Sequence, residues 1–205
     1  MTLANIECPR FNQHGLVDSI DPEQFSELVY EASKAAFSAL VAENPGQTFY
    51  AFGLFTDDSL QFMHPAANTE QALSATVRRY RETVDPKYGC TSTRAGMRWS
   101  YGDWGFFPYE AGEHFSEINR VLRENFDRPV ADSGQEFLWA AALNGFRKLE
   151  SEGLFGVGPA RSKVTLLTVG DLPAGLVMAW VTALNPPDVA EQFSNWDCDA
   201  HDGNE

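Results

Sequence analysis

The chain has 205 residues, 43% of them apolar and 13% aromatic, with a formal net charge of -14. That apolar content is enough for a sizeable core, so disorder over the whole chain is excluded, and the length suits one domain. A strongly negative field repels nucleic-acid phosphates and anionic lipid, so generic nucleic-acid binding is not expected, whereas a basic partner would be attracted.

Asp21-Pro22-Glu23 reads as a helix start, with a capping acid, proline in the first turn and a carboxylate at the positive end of the dipole. Phe25, Leu28, Val29, Ala32, Ala36 and Leu40 follow at helical spacing, and Asn44-Pro45-Gly46 stops the helix. The run from Thr48 to Phe55 is apolar on nearly every residue, which predicts a strand covered on both faces in the middle of a sheet. Asp57-Asp58 marks a turn, and Leu60 and Phe62 predict the returning strand of a hairpin. A second helix opens at Asn68-Thr69-Glu70 and carries Leu73, Val77, Tyr80 and Val84.

From Lys87 to Tyr109 no helical period is visible, and Met97 to Trp104 reads as a strand end running into a structured loop. Phe115, Ile118, Leu122 and Phe126 mark a third helix. A fourth opens on the capping box Ser133-x-x-Glu136 and ends at Gly153. Gly153 to Pro159 is glycine-rich, but it sits between a helix and a strand, the reverse of a dinucleotide loop, and reads as a connector. A strand over Lys163–Val169 and a helix burying Leu176, Val177, Trp180 and Leu184 follow, with a short turn through Phe193.

The order of elements predicts an α+β fold, a single domain with an antiparallel or mixed central sheet and helices packed against it. The expected division is an N-terminal extension 1–20, the domain at 21–193 and an acidic flexible tail at 194–205.

No basic-then-apolar leader opens the chain, and no run approaches the roughly 18 apolar residues of a membrane span. Cys8, Cys90 and Cys198 are odd in number and far apart, so neither a disulfide framework nor a structural zinc site is expected. These features together predict a cytoplasmic protein without membrane contact.

Charge is unevenly spread. Arg78, Arg79, Arg81, Lys87, Arg94 and Arg98 face only Glu82 and Asp85 within their stretch, and after Lys163 the chain carries acids but no Lys or Arg. Arg78, Arg79 and Arg81 form a candidate anion patch, set against the plainer reading of a solvated helix face.

No nucleophile, phosphate-loop or metal motif is present in the sequence, and neither cofactor nor metal is expected. Asp57, Asp58, His64 and Glu70 offer acid–base groups close in sequence, but acids at a hairpin tip are what turns use anyway. Cys90 has no His close in sequence to activate it. The densest recognition chemistry lies in Arg98, Trp99, Asp103 and Trp104, residue types favoured at interface hot spots. Against that, large aromatics usually serve the core.

The ordered segments Tyr50–Asp58, Pro65–Glu70, Arg98-Trp99-Ser100 with Trp104, and Leu184-Asn185-Pro186 resemble a bacterial family catalogued only as a domain of unknown function. The chain is also similar, more loosely, to SMI1/KNR4-like immunity proteins of bacterial toxin systems. Neither resemblance brings a catalytic residue.

The favoured expectation is a non-enzymatic protein-binding module, of the immunity type, that neutralises a basic partner. Arg98, Trp99, Asp103 and Trp104 would dock it, with Asp57 and Asp58. The alternative is a small hydrolase or ligand-binding protein with Asp57, Asp58, His64 and Arg98 in one cleft. A homodimer across Phe115, Ile118, Leu122 and Phe126 is a third expectation.

Overall fold

The computed structural model describes residues 21–107, 113–126 and 133–202. The expected extension 1–20 lies outside them. Helix α1 spans Pro22–Glu43, and the Asp21 carboxylate accepts from the Glu23 amide at 2.9 Å, as the sequence predicts. Strands β1 (Phe49–Phe55), β2 (His64–Thr69) and β3 (Thr165–Val169) form a mixed sheet in the order β2-β1-β3. β1 lies in the middle, antiparallel to β2 and parallel to β3. The remaining helices are α2 (Glu70–Thr83), α3 (Thr91–Trp99), α4 (Ser116–Phe126), α5 (Ser133–Ser151), α6 (Ala174–Leu184) and α7 (Pro187–Asp202).

The fold is α+β, with helices on both faces of the sheet. One core cluster joins α1, α4 and α5 to Phe52, Leu54 and Leu166 of the sheet. Phe37, Phe52, Phe146 and Phe155 meet there with ring centroids 5.0–5.9 Å apart. Truncating such a buried ring to alanine costs about 3–5 kcal/mol. A second cluster sets Leu73 and Val77 of α2, Met97 of α3 and Phe193 of α7 against Tyr50, Ala51 and Leu167. α6 supplies Trp180 to the first and Val181 to the second.

Gly145 lets α1 and α5 cross closely, since a Cβ there would lie 2.3 Å from the Ser26 carbonyl oxygen. Each outer edge of the sheet is covered at one position. Phe106 exchanges two backbone hydrogen bonds with Ala67 of β2. The Asn185 side chain takes the Leu166 amide of β3 at 2.8 Å and donates to the Leu166 carbonyl at 2.7 Å. An extended peptide therefore finds no free ladder at those positions.

Three expectations are corrected. The returning strand begins at His64, not Leu60. Residues 57–61 wind into a turn, with the Asp57 carboxylate on the Gln61 amide at 2.8 Å and Leu60 held at φ 52°. The strand end expected at Met97 is helix α3. Its inward face is Arg94, Met97 and Arg98, spaced for a helix, but two of the three are arginines, so no hydrophobic period shows. The frayed tail expected from residue 194 is helical to Asp202, with Trp196 packed on Phe193 and Trp99.

The homodimer stripe is also reassigned. Phe115, Ile118 and Leu122 are buried in the chain's own core, while the side chain of Phe126 lies outside the described residues. Among the described residues no helix is long and apolar enough to cross a membrane.

Candidate functional site

A bulge at the start of β1 sets up one end of the sheet. Phe49 pairs with Thr69 and Ala51 with Asn68, so Tyr50 is the extra residue. Tyr50 and Ala51 then both serve the cluster on the α2–α3 side. Tyr50 donates its hydroxyl proton to the Arg98 carbonyl oxygen at 2.8 Å and accepts from Asn68 Nδ2 at 2.7 Å. The Arg98 guanidinium lies 3.7 Å from the centre of the Tyr50 ring and holds Glu70 at 2.7 Å. Arg94 reaches the same carboxylate at 3.5 Å and Ser74 Oγ at 3.2 Å.

Burial pushes the Tyr50 hydroxyl well above the ordinary tyrosine range, so it stays protonated and acts as a strut between the sheet and α3.

The four residues expected to dock a partner here largely face inward. Trp104 is 4% exposed and donates its indole N–H to the Arg98 carbonyl at 3.1 Å. Trp99 is half-buried between Tyr50, Phe193 and Trp196. Asp103 accepts from Tyr80 at 2.8 Å and from Arg79 at 3.3 Å. These groups fasten α3, the following turn and α7 to the sheet. Trp104 is therefore part of the second core cluster.

Asp57 and Asp58 lie at the opposite end of β1. Tyr50 and Phe55 are five residues apart, about 17 Å along an extended strand. Arg98 sits on Tyr50, whereas His64 pairs in register with Phe55. The cleft expected to unite Asp57, Asp58, His64 and Arg98 is thus divided between two ends of the sheet.

The Asp57 end carries a surface that the sequence did not single out. Phe55, Phe62, His64, Tyr101 and Phe107 form a chain of ring contacts with centroids 4.6–6.2 Å apart. All five are half-buried, and Asp58 beside them is exposed. The loop that presents Phe62 is rigidly held. Asn119 of α4 takes the Met63 amide at 2.7 Å and donates to its carbonyl at 3.0 Å, and Thr56 Oγ1 donates to the Phe62 carbonyl. Gly170, at φ 144°, packs directly on the Thr56 carbonyl, which brings the exposed Asp171 to the same end. Burial holds His64 below the usual histidine value, so its ring is neutral at pH 7. The usable signal for these aromatics was their proximity in three separate segments, which only the fold supplies.

The remaining candidates are dispersed. Arg79 is engaged by Asp103, while Arg78 and Arg81 are exposed on α2. Cys90 is exposed at the start of α3, and hydrogen bonds from Ser92 and Thr93 draw its thiol down to about 7. The glycine-rich stretch connects α5 to β3, as expected. Among the described residues no group of three or more His, Cys, Asp or Glu is placed to hold a metal ion.

Fold and site together define a small α+β domain whose clearest surface feature is an acidic, aromatic sheet end. Over residues 29–186 the chain matches the family described as Domain of unknown function (DUF4303), and it belongs to that family. Neither the curated proteins nor the solved structures give a match.

Proposed function

We propose that the protein is a cytoplasmic, non-enzymatic binding module of the immunity type, which neutralises a basic partner protein through the Asp57 end of its sheet. The observation that carries this reading is the chain of half-buried rings from His64 and Phe62 through Phe55 to Tyr101 and Phe107, bordered by Asp57, Asp58 and Asp171. Aromatics at a surface supply apolar anchoring area, and the acids supply steering. Residues 55–64, 99–107 and 164–205 contain no Lys or Arg, so no cation of these segments cancels that charge.

The test is retention of a lysate protein by the immobilised chain at low salt. The expected result is a basic protein that salt releases and that neither Asp58→Lys nor Tyr101→Ala retains. Retention of nothing, or retention indifferent to both substitutions, overturns the reading.

A further inference from the structure

The α2–α3 corner carries the opposite charge, and two of its cations, Arg78 and Arg81, pair with no carboxylate among the described residues. Two contacts set the register of the helices: Arg98 on Glu70 and, one turn on, Arg94 on Ser74. The helices therefore run antiparallel, and the same register places Arg78 opposite the first turn of α3. Arg81, one further turn along, lies against Gly89, whose notional Cβ would stand 3.0 Å from the Arg81 Cδ. Beside them Tyr80 and Tyr88 pack at 5.2 Å. Each carries a cation on its face, Arg79 at 4.8 Å over Tyr80 and Lys87 at 5.9 Å over Tyr88. Arg79 and Lys87 also meet Asp103 and Asp85, whereas Arg81, resting on Gly89, keeps its N–H donors for another acceptor.

Among the described residues Arg78 and Arg81 have no ion-pair partner, in a chain with 29 acids against 15 bases. Glu82 and Asp85 are the acids of this stretch. Asp85 caps the turn after α2 by accepting from the Lys87 amide at 2.8 Å and stands 3.8 Å from the Lys87 ammonium.

We infer that this corner is a second docking surface, and that it takes a short acidic segment of a protein partner. The chemistry is the one the corner already uses inside the fold, where Arg79, Arg94 and Arg98 each hold a carboxylate. A short segment is favoured over a nucleic acid because the net charge of -14 repels a long polyanion over its whole length, whereas a few carboxylates meet only the local cations. The surface is independent of the sheet end and stands without it.

The experiment is a nuclear magnetic resonance titration of the full chain with a hexaglutamate peptide at low salt. Amide signals of residues 78–81 and 87–90 are expected to shift. The apparent affinity should fall about tenfold, or 1.4 kcal/mol, in the Arg78→Glu/Arg81→Glu variant, whose spectrum elsewhere stays unchanged. A single-stranded oligonucleotide of equal charge should bind more weakly. Silence toward hexaglutamate, shifts spread over other surfaces, undiminished binding by the charge-reversed variant, or tighter binding of the oligonucleotide would each overturn the inference.

Discussion

Arg98 and Tyr50 hold each other twice: the guanidinium covers the phenol ring at 3.7 Å, and the phenol hydroxyl donates to the Arg98 backbone carbonyl at 2.8 Å. Tyr50→Phe keeps the stacking but removes the hydroxyl to which Asn68 Nδ2 donates, while the Arg98 carbonyl keeps the Trp104 indole N–H. Leaving buried polar atoms unmatched costs about 1–3 kcal/mol. The midpoint of urea unfolding should fall accordingly, with an unchanged slope.

The same residue sets an alkaline limit. Burial raises the Tyr50 pKa, so the unfolded chain releases its proton near pH 10 while the native chain retains it. The native state then binds more protons, and stability falls as pH rises above about 10. Tyr80, raised by its bond to Asp103, acts in the same direction. Unfolding curves from pH 8 to 11 should therefore be less pH-dependent in Tyr50→Phe than in the parent.

At the other end of the sheet the sign reverses. His64 is depressed by burial, so below about pH 6.5 the unfolded chain gains a proton that the native chain resists. Stability should decline as pH falls through that range, and His64→Gln should flatten the decline. Equal slopes in parent and variant would count against a buried, neutral His64.

Cys90 should react as a thiolate near neutrality. Its thiol is drawn down to about 7 by hydrogen bonds to Ser92 and Thr93. Alkylation by iodoacetamide, followed on the Cys90 peptide by mass spectrometry, should be half-maximal near pH 7. Ser92→Ala with Thr93→Val should move that midpoint upward.

Asn119 is expected to govern the loop that presents Phe62. Asn119→Ala removes both hydrogen bonds to the Met63 backbone and leaves a small void, at a cost of about 2–3 kcal/mol. Amide hydrogen exchange in residues 57–63 should accelerate more than in β1. Uniform acceleration would instead mark Asn119 as a general core residue.

Much of the architecture was legible along the chain because its signals are local. The Asp21-Pro22 cap, the stop at Asn44-Pro45-Gly46 and the doubly covered run at 49–55 each depend on residues next to one another. Helix α3 was hidden because arginines, which scan as surface, make its inward face through Tyr50, Glu70 and Ser74. α7 was legible but missed: Val189, Phe193 and Trp196 already stand at helical spacing. The candidate docking residues divided for the same reason as α3. Arg98, Trp99, Asp103 and Trp104 were singled out by type, yet their partners lie tens of residues away and turn most of them inward.

By itself the sequence determined an acidic α+β chain with a central apolar strand, because composition and hydrophobic period are properties of neighbouring residues. Only the tertiary structure decided where the surfaces lie. Strand register put Asp57 and Arg98 at opposite ends of β1, and packing between distant segments gathered Phe55, Phe62, Tyr101 and Phe107 beside the acids. Adjacency of that kind is produced by folding and is written in no single stretch of chain.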